Sequence, residues 1–323
     1  MARLVPWNKL RAAKTLSRYS SWRSAVLPKT TLLTTYQLRA PVPRQPQAQK
    51  VIRTNPGLRK LHTSSPSMAT VPTELQQVLT PALLRNVRNF WFDHLNGDTA
   101  LILPGQSDMQ RWFTRDDSFD DACVTQFKPA LEAIIASGAT ANEILNVVDT
   151  SNPLNWLSIL LLLDQVPRNC YRGNESKLVF GLFDPLAEEI AVRAVEATIP
   201  TQSSGVRYRL AYRFWFNLPL MHSENLAVHE QAIKQYEQTT REMEDFLDKD
   251  VAVLNEDERK CHEVLSSQQD ALRGFLSSTF DFEKRHKVII EQFGRYPHRN
   301  QALGRVSTPE EIEYLENGGE TFG

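Results

Sequence analysis

The sequence predicts an all-α protein, a single domain of packed helices. Three observations carry that expectation. Helix starts marked by a capping residue and a proline recur along the chain. Apolar residues return at helical spacing after them. No alternating strand pattern occurs, and so no Asn-Gly hairpin between two strands.

The starts are legible in order. "LTPALLRNVRNFWFDHL" offers Thr80 as N-cap and Pro81 at the first helical position, with Leu84, Val87 and Trp91 on one face. "SNPLNWLSILLLLDQV" repeats the device with Asn152 and Pro153, and "FDPLAEEIAVRAVEAT" with Asp184 and Pro185. "VRYRLAYRFWFNLPLMHSENLAVHEQAIKQYEQ" predicts one helix ending before Pro219 and another capped by Ser223 that carries Leu226, Ile233 and Tyr236. The stretch "FDFEKRHKVIIEQFGRYPHRN" predicts a helix with Phe282, Ile289 and Phe293 that stops at Gly294, with Pro297 beyond. Residues 239–278 are charge-dense with apolar residues at helical intervals, and read as one or two solvated helices over the core or as an insertion. The aromatic groups "NFWF" and "YRFWFN" sit at core positions, and the Gly318-Gly319 pair reads as a frayed tail.

The chain has 323 residues and a net charge of -1, but the charge is unevenly spread. The first 73 residues hold thirteen Lys/Arg and no Asp/Glu, leaving twenty-four basic against thirty-eight acidic residues in the rest. An acidic body argues against a nucleic-acid surface, which needs a clustered basic footprint. The most apolar stretch, Trp156 to Leu163, is eight residues with Ser158 among them, whereas a membrane span needs about 20; a soluble protein is expected. Cys123, Cys170 and Cys261 are scattered without zinc spacing, so they read as packing residues of a reducing compartment.

The acid-free, Arg- and Ser-rich leader has the composition of a mitochondrial transit peptide over residues 1–68, followed by a linker over 69–79 and the helical domain over 80–323. "RKLHTSS" fits a two-step matrix-processing pattern: a cut after Lys60, then removal of Leu61 to Met68 to start the mature chain at Ala69. Localisation in the matrix through the import machinery is expected, with a cytosolic form if translation starts at Met68. A disordered basic tail or a nuclear signal is the alternative.

Ionisable residues gather where helices end. Asp164, Gln165, Arg168, Asn169 and Arg172 lie in "DQVPRNCYRG"; His222, Ser223 and Glu224 in "LMHSE"; Arg295, His298, Arg299, Asn300 and Arg305 in "FGRYPHRNQALGRV". Pro167 removes a donor and disfavours helical geometry at Val166, so the helix from Pro153 is expected to stop or kink there and turn Arg168 and Arg172 off its axis. Two readings compete. In one, the arginines cap carbonyls and pair with Asp164, Glu224 or Glu291 to tie helices together. In the other, Arg168, Asn169, Arg172, Arg295, Arg299, Asn300 and Arg305 converge on a phosphate or carboxylate, with His222 or His298 as general acid or base and Asp164 or Glu224 orienting it. His222 and His229 share a helical face, but no HExxH or His-Asp pair is present, so no metal or cofactor is expected. GxGxxG, the P-loop and GxSxG are also missing.

Five segments, "NFWF", "RWFTRDDSFD", "LLLLDQVPRNCYRG", "LPLMHSE" and "HKVIIEQFGRYPHRNQALGRVSTPEEIEYL", resemble the DUF924 family, whose function is unknown. The likeness spans about residues 80–323, with 239–278 matching poorly; Val166 and Tyr296 stand where relatives often have Phe. The resemblance implies a tetratricopeptide-like helical array, although no 34-residue period is visible here. It brings no activity. A soluble protein with a pocket for a small anionic ligand is the expectation, with a protein- or peptide-binding module as the alternative.

Overall fold

A computed structural model describes residues 73–322. The leader, with the cut after Lys60 and the second start at Met68, lies outside the described residues. Among the described residues every regular element is helical, and they form a single helical domain. Local chemistry explains the helix starts that the sequence marks. Thr80 Oγ1 accepts from the Leu83 N–H at 3.2 Å ahead of Pro81–Phe92. Asn152 Oδ1 accepts from the Leu154 N–H at 3.0 Å ahead of Pro153–Leu160. Each cap satisfies a donor that the first helical turn leaves without a partner.

The main core is built from helices distant in sequence. Pro81–Phe92 lies against Pro153–Leu160, and Asp117–Ser137 against Val166–Cys170. Asp184–Glu196 touches Ala141–Val147, Pro153–Leu160 and Leu218–Met221. Leu157, Ile159, Leu162 and Leu163 are fully buried, each stabilising the fold by about 1.5–3 kcal/mol. The two aromatic groups meet there: Trp91 packs edge-on to Trp215 at 5.2 Å, and Trp112 does the same at 5.1 Å. Residues read as linker supply a helix, Thr73–Val78, and Leu75 and Leu79 are buried in this core. All three cysteines are free and buried.

Several local expectations are corrected. The helix from Pro153 neither stops nor leaves helical geometry at Pro167, because Leu161–Gln165 widens into a π-helical turn in which the Val166 N–H reaches Leu161 O. Val166 itself is helical, with φ -57° and ψ -39°. The wide turn displaces the carbonyl that a proline ring would strike, so Val166–Cys170 continues the helix. Asp184 is not a cap: a second π-helical turn, Val179–Phe183, runs into Asp184–Glu196, and the Asp184 N–H bonds to Val179 O. Pro219 lies in the first turn of Leu218–Met221 instead of beyond a helix end. Asn225, not Ser223, caps Leu226–Leu247, accepting from the Ala227 N–H at 3.0 Å. Ser223 Oγ instead accepts from the Asn225 N–H.

Residues 239–278 belong to two long helices, Leu226–Leu247 and Gln269–Phe293, and to Glu256–Ser267 between them. Met243, Phe246, Leu254, Cys261, Leu265, Leu272 and Leu276 form a second core with Ile102, Leu103, Tyr208 and Leu210. Arg209 ties this region together, binding Asp98 at 2.7 and 2.9 Å and Asp257 at 2.6 and 3.2 Å.

Candidate functional site

The two π-helical turns touch each other. Each adds a residue to its turn and rotates the helix beyond it, and together they bring Asp164 and Asp184 to one buried point. Arg168 Nη2 donates to Asp184 Oδ1 at 2.7 Å and lies 3.5 Å from Asp164 Oδ1. Asp164 also accepts from His222 Nδ1 at 2.7 Å and from Gln165 Nε2 at 2.5 Å. Arg299 donates to the His222 carbonyl at 3.0 Å and sits 3.4 Å from Asp184 Oδ2. Its guanidinium lies over the rings of Phe180 and Tyr296, at 4.8 and 4.4 Å.

The electrostatics reflect burial and charge together. Burial pushes the Asp164 carboxyl up, but His222 and Arg168 outweigh it and hold it at about 2. Burial and the neighbouring Arg168 lower the pKa of His222 despite Asp164. At neutral pH this leaves an ionised Asp164 and a neutral His222 whose Nδ1–H it receives, so the Nε2 lone pair is available. Asp164, Asp184 and His222 place ligand atoms within 4.8 Å of one another, a spacing a metal ion could use. Two guanidinium groups, Arg168 and Arg299, already neutralise the two carboxylates, which disfavours a further cation there.

Beside this cluster opens a cleft of about 670 Å³, lined by Arg115, Arg168, Tyr171, Arg172, Gly173, Asn174, Ser176, Val179, Phe180, His298, Gln301 and Ala302. Among the described residues, three arginines and no carboxylate face it. Arg168 spends only Nη2 on its aspartates, and its Nε is buried without an acceptor. Among the described residues the Tyr171 hydroxyl also lacks a partner, and the His298 ring nitrogens have no side-chain partner, the Phe322 backbone being their polar neighbour. Burial, then the charge of Arg299, lowers His298 to about 4, more than the Phe322 backbone raises it, so the ring is neutral at physiological pH.

The other motif residues stand apart from the cleft or are engaged within the fold. Arg172 faces the cleft but is held by Asp120 at 2.8 and 3.1 Å. The Asn169 side chain donates to Gln165 O at 3.1 Å. Arg295 forks onto Glu311 at 2.6 and 2.8 Å, and Asn300 donates to the same carboxylate at 3.0 Å. Arg305 forks onto Glu224 at 2.6 and 3.0 Å, and Glu224 also accepts from the Tyr296 N–H. These contacts tie the segment after Gly294 to the turn after Met221.

Asp184, Asp120, Tyr171, Phe180, Arg115 and Gln301 are site residues that sequence reasoning did not single out. One signal was present for Asp184: "LLLLDQVP" and "VFGLFDP" both carry an apolar run, an aspartate and a proline. Another pair, His229 and Glu283, is fully buried at 2.7 Å, with His229 Nε2 also 2.9 Å from Ser223 O.

Comparison with known proteins supplies a family and no activity. The model of a family described as bacterial proteins of unknown function, DUF924, matches residues 87–319. A solved protein of unknown function from Agrobacterium tumefaciens is similar at 25% identity and a TM-score of 0.48, over 73% of this chain and 98% of that one. No curated protein matches. Since the family model spans well over half of its residues, the chain belongs to the DUF924 family.

Proposed function

We propose that the cleft binds a small anionic ligand bearing a phosphate or carboxylate. The observation that supports this reading is the wall itself: Arg115, Arg168, Arg172 and the donor-capable His298 face one space, and no acidic residue among the described ones lines it. Guanidinium groups bind such oxyanions through paired hydrogen bonds. Gly173, Asn174 and Ser176 open a helical stretch that runs through to Glu196, and the amide N–H groups of its first turn add positive potential. The parts of an acid–base apparatus adjoin the cleft: neutral His298 in its wall, and His222 held by Asp164 behind Arg168. Arg295, Asn300, Arg305 and Glu224 serve the fold in this reading, as staples.

Titration of the protein with inorganic phosphate, pyrophosphate and small di- and tricarboxylates, followed by calorimetry, tests it. At least one should bind saturably, and Arg172→Ala, whose side chain is 40% exposed, should weaken it roughly tenfold, the loss of about one charge-assisted bond. No saturable binding by any of them would sink the anion site, and recovery of a stoichiometric peptide partner would favour an interaction module instead. We also propose that residues 1–68 direct the chain to the mitochondrial matrix. A fluorescent fusion of residues 1–70 should colocalise with mitochondria; diffuse or nuclear signal counts against it.

A further inference from the structure

Residues 317–322 turn back over the helix Gln269–Phe293. Gly318 has φ 81°, and a Cβ on Gly319 would lie 2.4 Å from the Tyr314 ring, so the turn suits only glycine. The Gly319 N–H donates to Tyr314 O at 2.8 Å, and Arg285 Nε donates to the Glu320 carboxylate at 2.8 and 3.0 Å. Phe322 then stacks on His286 at 3.5 Å and 20°, with its edge towards Tyr296 at 6.4 Å.

Phe322 covers His286, which belongs to a group of rings that reaches the cleft. The His286 ring is 6.4 Å from that of His222, and Tyr296 is 5.6 Å from His298 in the cleft wall. His286 Nδ1 bonds to Phe282 O and His222 Nδ1 to Asp164, while neither Nε2 is hydrogen-bonded among the described residues. We propose that residues 317–322 are a gating strap. Seated, Phe322 closes over His286 behind the cleft wall; lifted, it opens a way past His298 to the Nε2 of His222 that Asp164 orients. Its role as a gate to a ligand rests on the anion reading of the cleft. The clasp is light. The Arg285–Glu320 pair is 41% exposed on both sides, and such surface pairs contribute little. The strap therefore opens locally, without unfolding its neighbours.

Diethyl pyrocarbonate, which acylates unprotonated imidazole nitrogens, provides the test on the full chain, with peptide mass spectrometry reading His222 and His286 separately. Phe322→Ala should raise both rates roughly tenfold, as expected for a local opening made easier, while Phe322→Leu, which keeps the plug, stays near wild type. Arg285→Ala should fall between. If Phe322→Ala lowers the melting temperature, Glu320→Gln, which alters only the exposed clasp, decides. Equal His222 and His286 rates in wild type and in the strap variants that remain folded would overturn the gate. Phosphate titration is read separately: failure of wild type to bind any anion removes the cleft reading, while the histidine rates still report whether the strap covers the rings.

Discussion

At the residue scale, two of the three cleft arginines carry different loads. Arg168 bridges two buried carboxylates, and Arg172 meets one at the surface. Arg168→Ala should lower stability by about 3 kcal/mol, because it strands charge in the interior, whereas Arg172→Ala should cost at most about 1 kcal/mol; urea denaturation of both variants checks this. A second prediction concerns pH. His298 titrates at about 4 when folded, below its ordinary 6.5, so the unfolded chain takes up its proton first. Stability present above pH 6.5 is lost as the pH falls towards 4, by about 3 kcal/mol from this residue, with His222 and His286 acting in the same direction. Asp164 acts at lower pH: its contribution, present above its ordinary 3.8, is lost as the pH falls through about 2. Denaturation curves between pH 4 and 8 should show the histidine slope, flattened in His298→Gln. The ionisable character of these residues was legible in "DQVPRNCYRG" and "GRYPHRN". Their partners were not, since Arg172 finds Asp120 52 positions away and Arg305 finds Glu224 81 away.

At the element scale, caps and stops are local chemistry. Thr80, Asn152 and Gly294 act within a few residues of themselves, so their roles stood in the sequence. Gly294 ends its helix at φ 69° with open space around the missing Cβ. Gly294→Ala should therefore cost only backbone strain, about 1 kcal/mol, read as a shifted urea midpoint. The π-helical turns defeated the same logic. A proline near a helix end ordinarily marks a break, but an i+5 bond ahead of Pro167 and Pro185 makes room for each ring, and that bond depends on what the helix packs against. The Gly318-Gly319 pair likewise reads as fraying from sequence, because the contact that demands glycine is with Tyr314.

At the scale of the whole molecule, Arg209 joins segments 111 and 48 positions apart around the second core. Arg209→Ala should raise hydrogen exchange across residues 239–278 and lower stability by about 1–3 kcal/mol, leaving Pro153–Leu160 protected; uniform protection would show that the apolar contacts alone hold that region. The sequence by itself determined the helical class, most helix starts, the acidic body and the places where polar residues collect, because periodicity and capping act within one or two turns. Only the tertiary structure decided which arginines are staples and which face the cleft. That choice depends on carboxylates brought in from distant helices, and on two widened turns that set Asp164 and Asp184 on either side of Arg168.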